Sequence, residues 1–112
     1  MEITFDKKDP DISIIHLKGD LDYHASADLR EKMASFLSEK PKKILLDMSK
    51  VNYIDSSGIA AFVETSRKVK SIGSKIVFHS LTSNVKSVFE LAKLHLFFQL
   101  AESEECAIQQ LS

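Results

Sequence analysis

Three consecutive apolar residues, Ile44-Leu45-Leu46, constrain this chain more than anything else in it. Side chains alternate between the two faces of a strand, so a strand with no polar alternate must be covered on both sides. That is the situation of a central strand in a parallel sheet sandwiched by helices. The run continues through Val51, Tyr53 and Ile54 to Asp55-Ser56-Ser57-Gly58. Behind it Ile59, Phe62, Val63 and Val69 recur at helical spacing, so a buried strand and a loop deliver two serines to the opening turn of a helix. The backbone N–H groups of that turn are unpaired and carry partial positive charge, which suits an anion. The stretch reads as a phosphorylatable surface held by a rigid scaffold.

The flanking elements follow from pattern. Residues 2–6 alternate as a short edge strand, Lys7 to Asp11 form a turn, and Ile12, Ile14, Ile15 and Leu17 form a second strand ending at Gly19. So short a turn implies a hairpin, hence an antiparallel first pair. Asp20-Leu21-Asp22-Tyr23-His24 supplies capping side chains for a helix with Leu29, Met33, Phe36 and Leu37 on its apolar face. The helix after the serines is expected to stop at Gly73, with Lys68 and Lys70 at its negative end. Lys75 to Phe78 is a strand. Thr82 or Ser83 caps a helix carrying Val85, Val88, Phe89 and Ala92. Leu96 to Leu100 reads as a final strand, and Ser103 caps a last helix with Ala107, Ile108 and Leu111 turned inward. The fold class is α/β, a mixed, mostly parallel five-stranded sheet with an antiparallel first strand, covered by about four helices. Loops at the carboxyl ends of parallel strands favour binding sites, and both Gly19-Asp20-Leu21-Asp22 and Asp55-Ser56-Ser57-Gly58 lie in such loops, so they should be neighbours.

Composition narrows function by exclusion. A net charge of −1 with no basic run leaves no electrostatic footprint for nucleic acid or an anionic membrane. The lone Cys106 excludes an internal disulfide and a cysteine-based zinc site, and is expected to be a small buried apolar residue. The histidines His16, His24, His79 and His95 fall at no metal-ligand spacing, so neither a metal nor another cofactor is expected. With 112 residues, no bilayer-length apolar run and no signal-peptide pattern, residues 1–112 are expected to form one cytoplasmic domain. Of Phe97 and Phe98, alternation sends one outward, which would offer a partner patch.

With these pieces in place the sequence resembles a STAS domain of the anti-sigma factor antagonist type. The resemblance runs from about Ile12 to Leu111 and rests on GDLDYHAS at 19–26, ILLDMSKVNYIDSSGIAAF at 44–62 and NVKSVFELAKLHLFFQL at 84–100. It implies a non-enzymatic partner-switching protein. Unmodified, such an antagonist binds an anti-sigma factor that is also a serine kinase of the histidine-kinase ATPase type, and frees a sigma factor. The kinase phosphorylates the first serine after the aspartate, here Ser56, and a metal-dependent phosphatase resets it. Asp22 then belongs to the partner-facing surface, with Asp20, Asp55, Ser57 and Gly58 around it. Asp55 doubles as a cap, and Gly58 either admits the partner backbone or relieves crowding in its own turn. Two positions depart from the family: Ala60 replaces a frequent glycine, and Lys93 stands where the helix usually closes on glycine. A left-handed Lys93 would cost roughly 1 kcal/mol relative to glycine.

Three other readings compete. A serine hydrolase would need a base beside Ser56, for which His24 is the nearest candidate. A phospho-acceptor receiver domain would use Asp20 and Asp22 as its acidic pair and Asp47 as acceptor. A STAS subunit of a transporter or stressosome-like complex, or a partner switch with a non-transcriptional output, would keep the fold and change the partner.

Overall fold

The computed structural model describes residues 1–111. The hairpin comes first: β1 (Glu2–Asp9) pairs antiparallel with β2 (Ile12–Lys18). Then α1 (Tyr23–Leu37), β3 (Lys43–Lys50), α2 (Ser56–Ser71), β4 (Lys75–His79), α3 (Ser83–Leu91), β5 (Leu100–Ala101) and α4 (Glu104–Leu111) follow in order. The sheet order is β1-β2-β3-β4-β5, with β2 through β5 parallel. This is the expected mixed five-stranded sheet with four helices.

The apolar run explains itself. Ile44, Leu45 and Leu46 are each 0–1% exposed because β3 is the middle strand. Ile44, Leu46 and Met48 face the side covered by α1, α2 and α3, where they meet Leu29, Met33, Phe62 and Phe89. Leu45 faces the other side with Ile14 and Val77, under Ala107 and Leu111 of α4. Burying each large aliphatic side chain is worth about 1.5–3 kcal/mol, so the four buried side chains of β3 contribute on the order of 6–12 kcal/mol to folding. The helices are therefore divided three to one across the sheet.

Capping follows local chemistry. Asp22 Oδ1 accepts from the Ala25 N–H at 2.9 Å to start α1, and Thr82, rather than Ser83, caps α3. The Cys106 N–H donates to Ser103 Oγ at 3.2 Å. Gly73, with φ +74°, follows the end of α2, and Lys68 and Lys70 lie in its last turn. Lys93 is left-handed, with φ 57°.

Several expectations need correction. β1 runs to Asp9, so the turn is only Pro10-Asp11. Asp9 Oδ1 accepts from the N–H groups of Asp11 and Ile12 and closes it tightly. The last strand is Leu100–Ala101, not Leu96 to Leu100. The left-handed Lys93 leads into a 3-10 turn, Leu94–Leu96, and Phe98 is drawn into the core against Phe78 and Phe89, away from strand geometry. Cys106 is exposed: the buried positions of α4 are Ala107 and Leu111, and Cys106 precedes that stripe. Ala92 ends α3 as an exposed C-cap and adds nothing to its apolar face. Phe97 is the outward member of its pair, 55% exposed, with Phe98 at 5%.

Candidate functional site

The two loops at the carboxyl ends of β2 and β3 are tied together by backbone. The Gly19 N–H donates to the Lys50 carbonyl at 3.1 Å, and the Leu21 N–H to the Tyr53 carbonyl at 2.9 Å. The Asp55 N–H returns a bond to the Leu21 carbonyl at 3.2 Å. Leu21 and Ile54 form a parallel bridge, as though the two strands resumed for one residue after their loops. Leu21 is fully buried and Ile54 nearly so, which anchors the pair in the core. The loops expected to be neighbours are hydrogen-bonded neighbours.

Asp55 is the N-cap of α2. Its backbone is extended and its Oδ1 accepts from the N–H groups of Ser57 at 2.9 Å and Gly58 at 3.1 Å. Ser57 is thus a recipient of the cap, not the cap. Ser56, the first residue of α2, is exposed, and no hydrogen bond holds its hydroxyl among the described residues. Asp20 and Asp22 are exposed beside it on the joined loop, and Asp55 is partly buried.

Gly58 is buried, which favours the second of its two expected roles, relief of crowding in its own turn. A Cβ there would lie 2.8 Å from both Ile54 Cγ1 and Leu21 Cγ. Only glycine lets the first turn of α2 close onto the bridge between the loops.

Two residues escaped the sequence reading. Tyr23, the first residue of α1, is 69% exposed, and Tyr53, on the second of the joined loops, is 50% exposed. Tyr53 belongs to the apolar run leading to the serines, yet the structure turns it outward between buried Val51 and Ile54. The available signal was position: an aromatic residue in a polar loop, next to a capping aspartate. Exposed tyrosines with one polar tip are common anchors in protein interfaces.

The residues invoked by other chemistries are placed elsewhere. His24 is exposed and packs edge-on against Tyr23, ring centroids 5.8 Å apart, with no hydrogen bond to Ser56. Asp47 stands in register between His16 and His79 across the sheet. Its Oδ2 is 2.8 Å from His16 Nδ1 and its Oδ1 accepts from the Ser49 N–H. Burial by itself would raise the Asp47 carboxyl, but the bonds from Ser49 and His16, helped by the charge of His79, bring it below the ordinary carboxylate value. His79 is 3% exposed, and burial pushes its imidazole below the usual histidine value, against the pull of Asp47 and Glu104. Among the described residues no three His, Cys, Asp or Glu side chains gather as a metal site would require. No described helix is long and apolar enough to cross a membrane.

Comparison with known proteins agrees with this architecture. The anti-sigma-B factor antagonist of Bacillus subtilis is 26% identical over 110 residues, covering 97% of this chain and 100% of that protein. The structure of the anti-sigma factor antagonist SpoIIAA in its unphosphorylated form superposes with a TM-score of 0.80, at 22% identity, over 97% of this chain and 95% of that one. A sulfate transporter family protein from Wolinella succinogenes shares the fold, with a TM-score of 0.80 at 15% identity over 92% of this chain and 86% of that one. The STAS domain profile matches residues 6–107, and the chain belongs to the STAS domain family.

Proposed function

We propose that this protein is an anti-sigma factor antagonist whose binding surface is switched by phosphorylation of Ser56. With a free hydroxyl at Ser56, the joined loops bind an anti-sigma factor that is also a serine kinase of the histidine-kinase ATPase type, and a sigma factor is released. Phosphorylation ends the complex, and a metal-dependent serine phosphatase restores it. The protein acts as a cytoplasmic regulator and kinase substrate, with no chemistry of its own. The observation that carries this reading is the exposed, unbonded Ser56 hydroxyl at the first turn of α2, with Asp20 and Asp22 tied beside it. The names of relatives such as the Bacillus subtilis antagonist support the same reading.

The geometry suits a switch by charge. A phosphoserine adds about −1.5 to −2 charge at neutral pH. At the start of α2 the helix dipole offsets ~0.3–1 kcal/mol of its cost to the fold. A partner carboxylate brought within ~4 Å would meet about 1 kcal/mol of repulsion per unit charge in water-like surroundings and about 4 kcal/mol at an effective dielectric of 20. Each ~1.4 kcal/mol is a tenfold loss of affinity, so the complex is weakened while the domain stays folded.

The test is incubation with the cognate kinase and ATP, followed by mass spectrometry. Phosphate on Ser56, stable to hydroxylamine and abolished in Ser56→Ala, is the expected result. Hydroxylamine-labile label, or label on another residue, would overturn it. A genomic neighbourhood holding a transporter and no such kinase would favour a transporter subunit instead.

A further inference from the structure

We infer that the opposite end of α2 carries a second docking site, a slot on the open edge of β4 for a short, extended, acidic segment of another protein. Sheet pairing leads to it. β5 pairs only with Phe78 and His79, leaving Lys75, Ile76 and Val77 of β4 without a neighbour on that side. The Phe78 N–H donates to the Gln99 carbonyl and the Ser80 N–H to the Ala101 carbonyl, whereas the Lys75 N–H turns the other way, to the Lys42 carbonyl. Strand backbone alternates in its bonding direction, so Ile76 points its N–H and C=O to the same side as Phe78 and Ser80. Among the described residues no strand lies there.

A groove of about 460 Å³ runs along this edge between the outer face of α2 and the 97–99 segment. Arg67, Lys70 and Lys75 line it, and no carboxylate does. In a chain of net charge −1 this is a local excess of three cations, none ion-paired among the described residues. Phe97 lines the same groove and is 55% exposed. An added strand that bonds to Ile76, sets alternate carboxylates against the cations and rests an aliphatic side chain on Phe97 satisfies every feature together. The other sheet edge is different in kind. β1 carries Asp6, Lys7, Lys8 and Asp9 and a register shift, devices that protect an edge from pairing.

The slot is separate from Ser56. α2 spans Ser56–Ser71, 16 residues, which is about 24 Å of helix, so the two ends can be occupied together and the phosphoserine does not reach the slot.

The experiment is an NMR titration of the isotope-labelled protein with a capped peptide of alternating glutamate and valine, with the lysine–valine counterpart as control. Saturable shifts at the Ile76, Val77, Phe97 and Gln99 amides with the acidic peptide only are expected. The Arg67→Glu, Lys70→Glu double variant, both residues being exposed, should keep its circular dichroism and bind at least ~10-fold more weakly, since close charge pairs steer and hold such contacts. Phe97→Ser should also weaken binding, and Ser56→Glu should leave it unchanged. No saturable shift, equal response to both peptides, or shifts centred on the start of α2 would overturn the proposal.

Discussion

The Asp55 N–H donates to the Leu21 carbonyl at 3.2 Å, and through that bond the cap of α2 is fastened to the loop carrying Asp20 and Asp22. The serine that opens the helix and the aspartates beside it therefore cannot move independently. A surface built this way can change its charge without changing its shape, which is what a switch by phosphorylation needs.

Phosphorylation of Ser56 should shift the melting temperature by no more than a few degrees, because a change within ~1 kcal/mol moves a domain of this size by roughly 4–6 °C. Affinity for the kinase partner should fall at least ~10-fold in the same sample. Calorimetry of free and phosphorylated protein, paired with a binding titration, checks both halves. Equal affinities would remove the charge switch.

Asp55→Ala removes the acceptor for two N–H groups at the start of α2. Loss of an N-cap of this kind costs about 0.5–2 kcal/mol. Denaturant unfolding should show that loss, and the rate of Ser56 phosphorylation should change, since the serine is the next residue. Asp55→Asn, which keeps an acceptor oxygen, should recover most of the stability.

Gly58→Ala is expected to destabilise, although alanine is the better helix former by about 1 kcal/mol. The new methyl would press on Leu21 and Ile54 at 2.8 Å, and overpacking a buried contact costs about 1–3 kcal/mol. The net loss should reach up to about 2 kcal/mol in chemical denaturation. A variant as stable as the parent would show that the bridge between the loops yields easily.

Acid should weaken the fold in two stages. Burial lowers the value of His79 from its ordinary 6.5. The unfolded chain therefore takes up a proton first, and stability falls as pH drops below about 6.5, at up to about 1.4 kcal/mol per pH unit. Asp47, lowered from 3.8, contributes stability above that value and loses it as pH falls through its folded value. In His79→Gln the decline between pH 7 and 5 should flatten while the lower stage persists. An unchanged slope would assign the first stage to another group.

Lys93→Gly should raise stability by about 0.5–1 kcal/mol, because the residue sits at φ 57° with its side chain exposed. Thermal melts would show it. A fall would mean that the entropy glycine adds to the unfolded chain outweighs the strain relieved.

Much of this was open to reading along the chain. The burial of Ile44 to Leu46, the caps at Asp22 and Ser103, the helix stop at Gly73 and the antiparallel first pair each rest on interactions a few residues wide. The position of Ser56 at a helix start was legible for the same reason.

What escaped was decided by residues far apart in sequence. Gly58 had two open roles, contact or relief of crowding, until Leu21, 37 positions earlier, was seen against it. Phe98 looked like part of a strand until the core drew it under Phe78. Cys106 looked buried because a free cysteine behaves as a small apolar residue, yet the inward stripe of α4 runs through Ala107 and Leu111. Hydrophobic period and capping act between near neighbours, so the amino-acid pattern alone was enough for the order of strands and helices, though not for the end of the first strand or the place of the last. Why Gly58 must be glycine, where Phe98 packs and where the sheet edge stays open came only from the folded molecule. Those outcomes depend on packing between distant segments, and no local spacing records them.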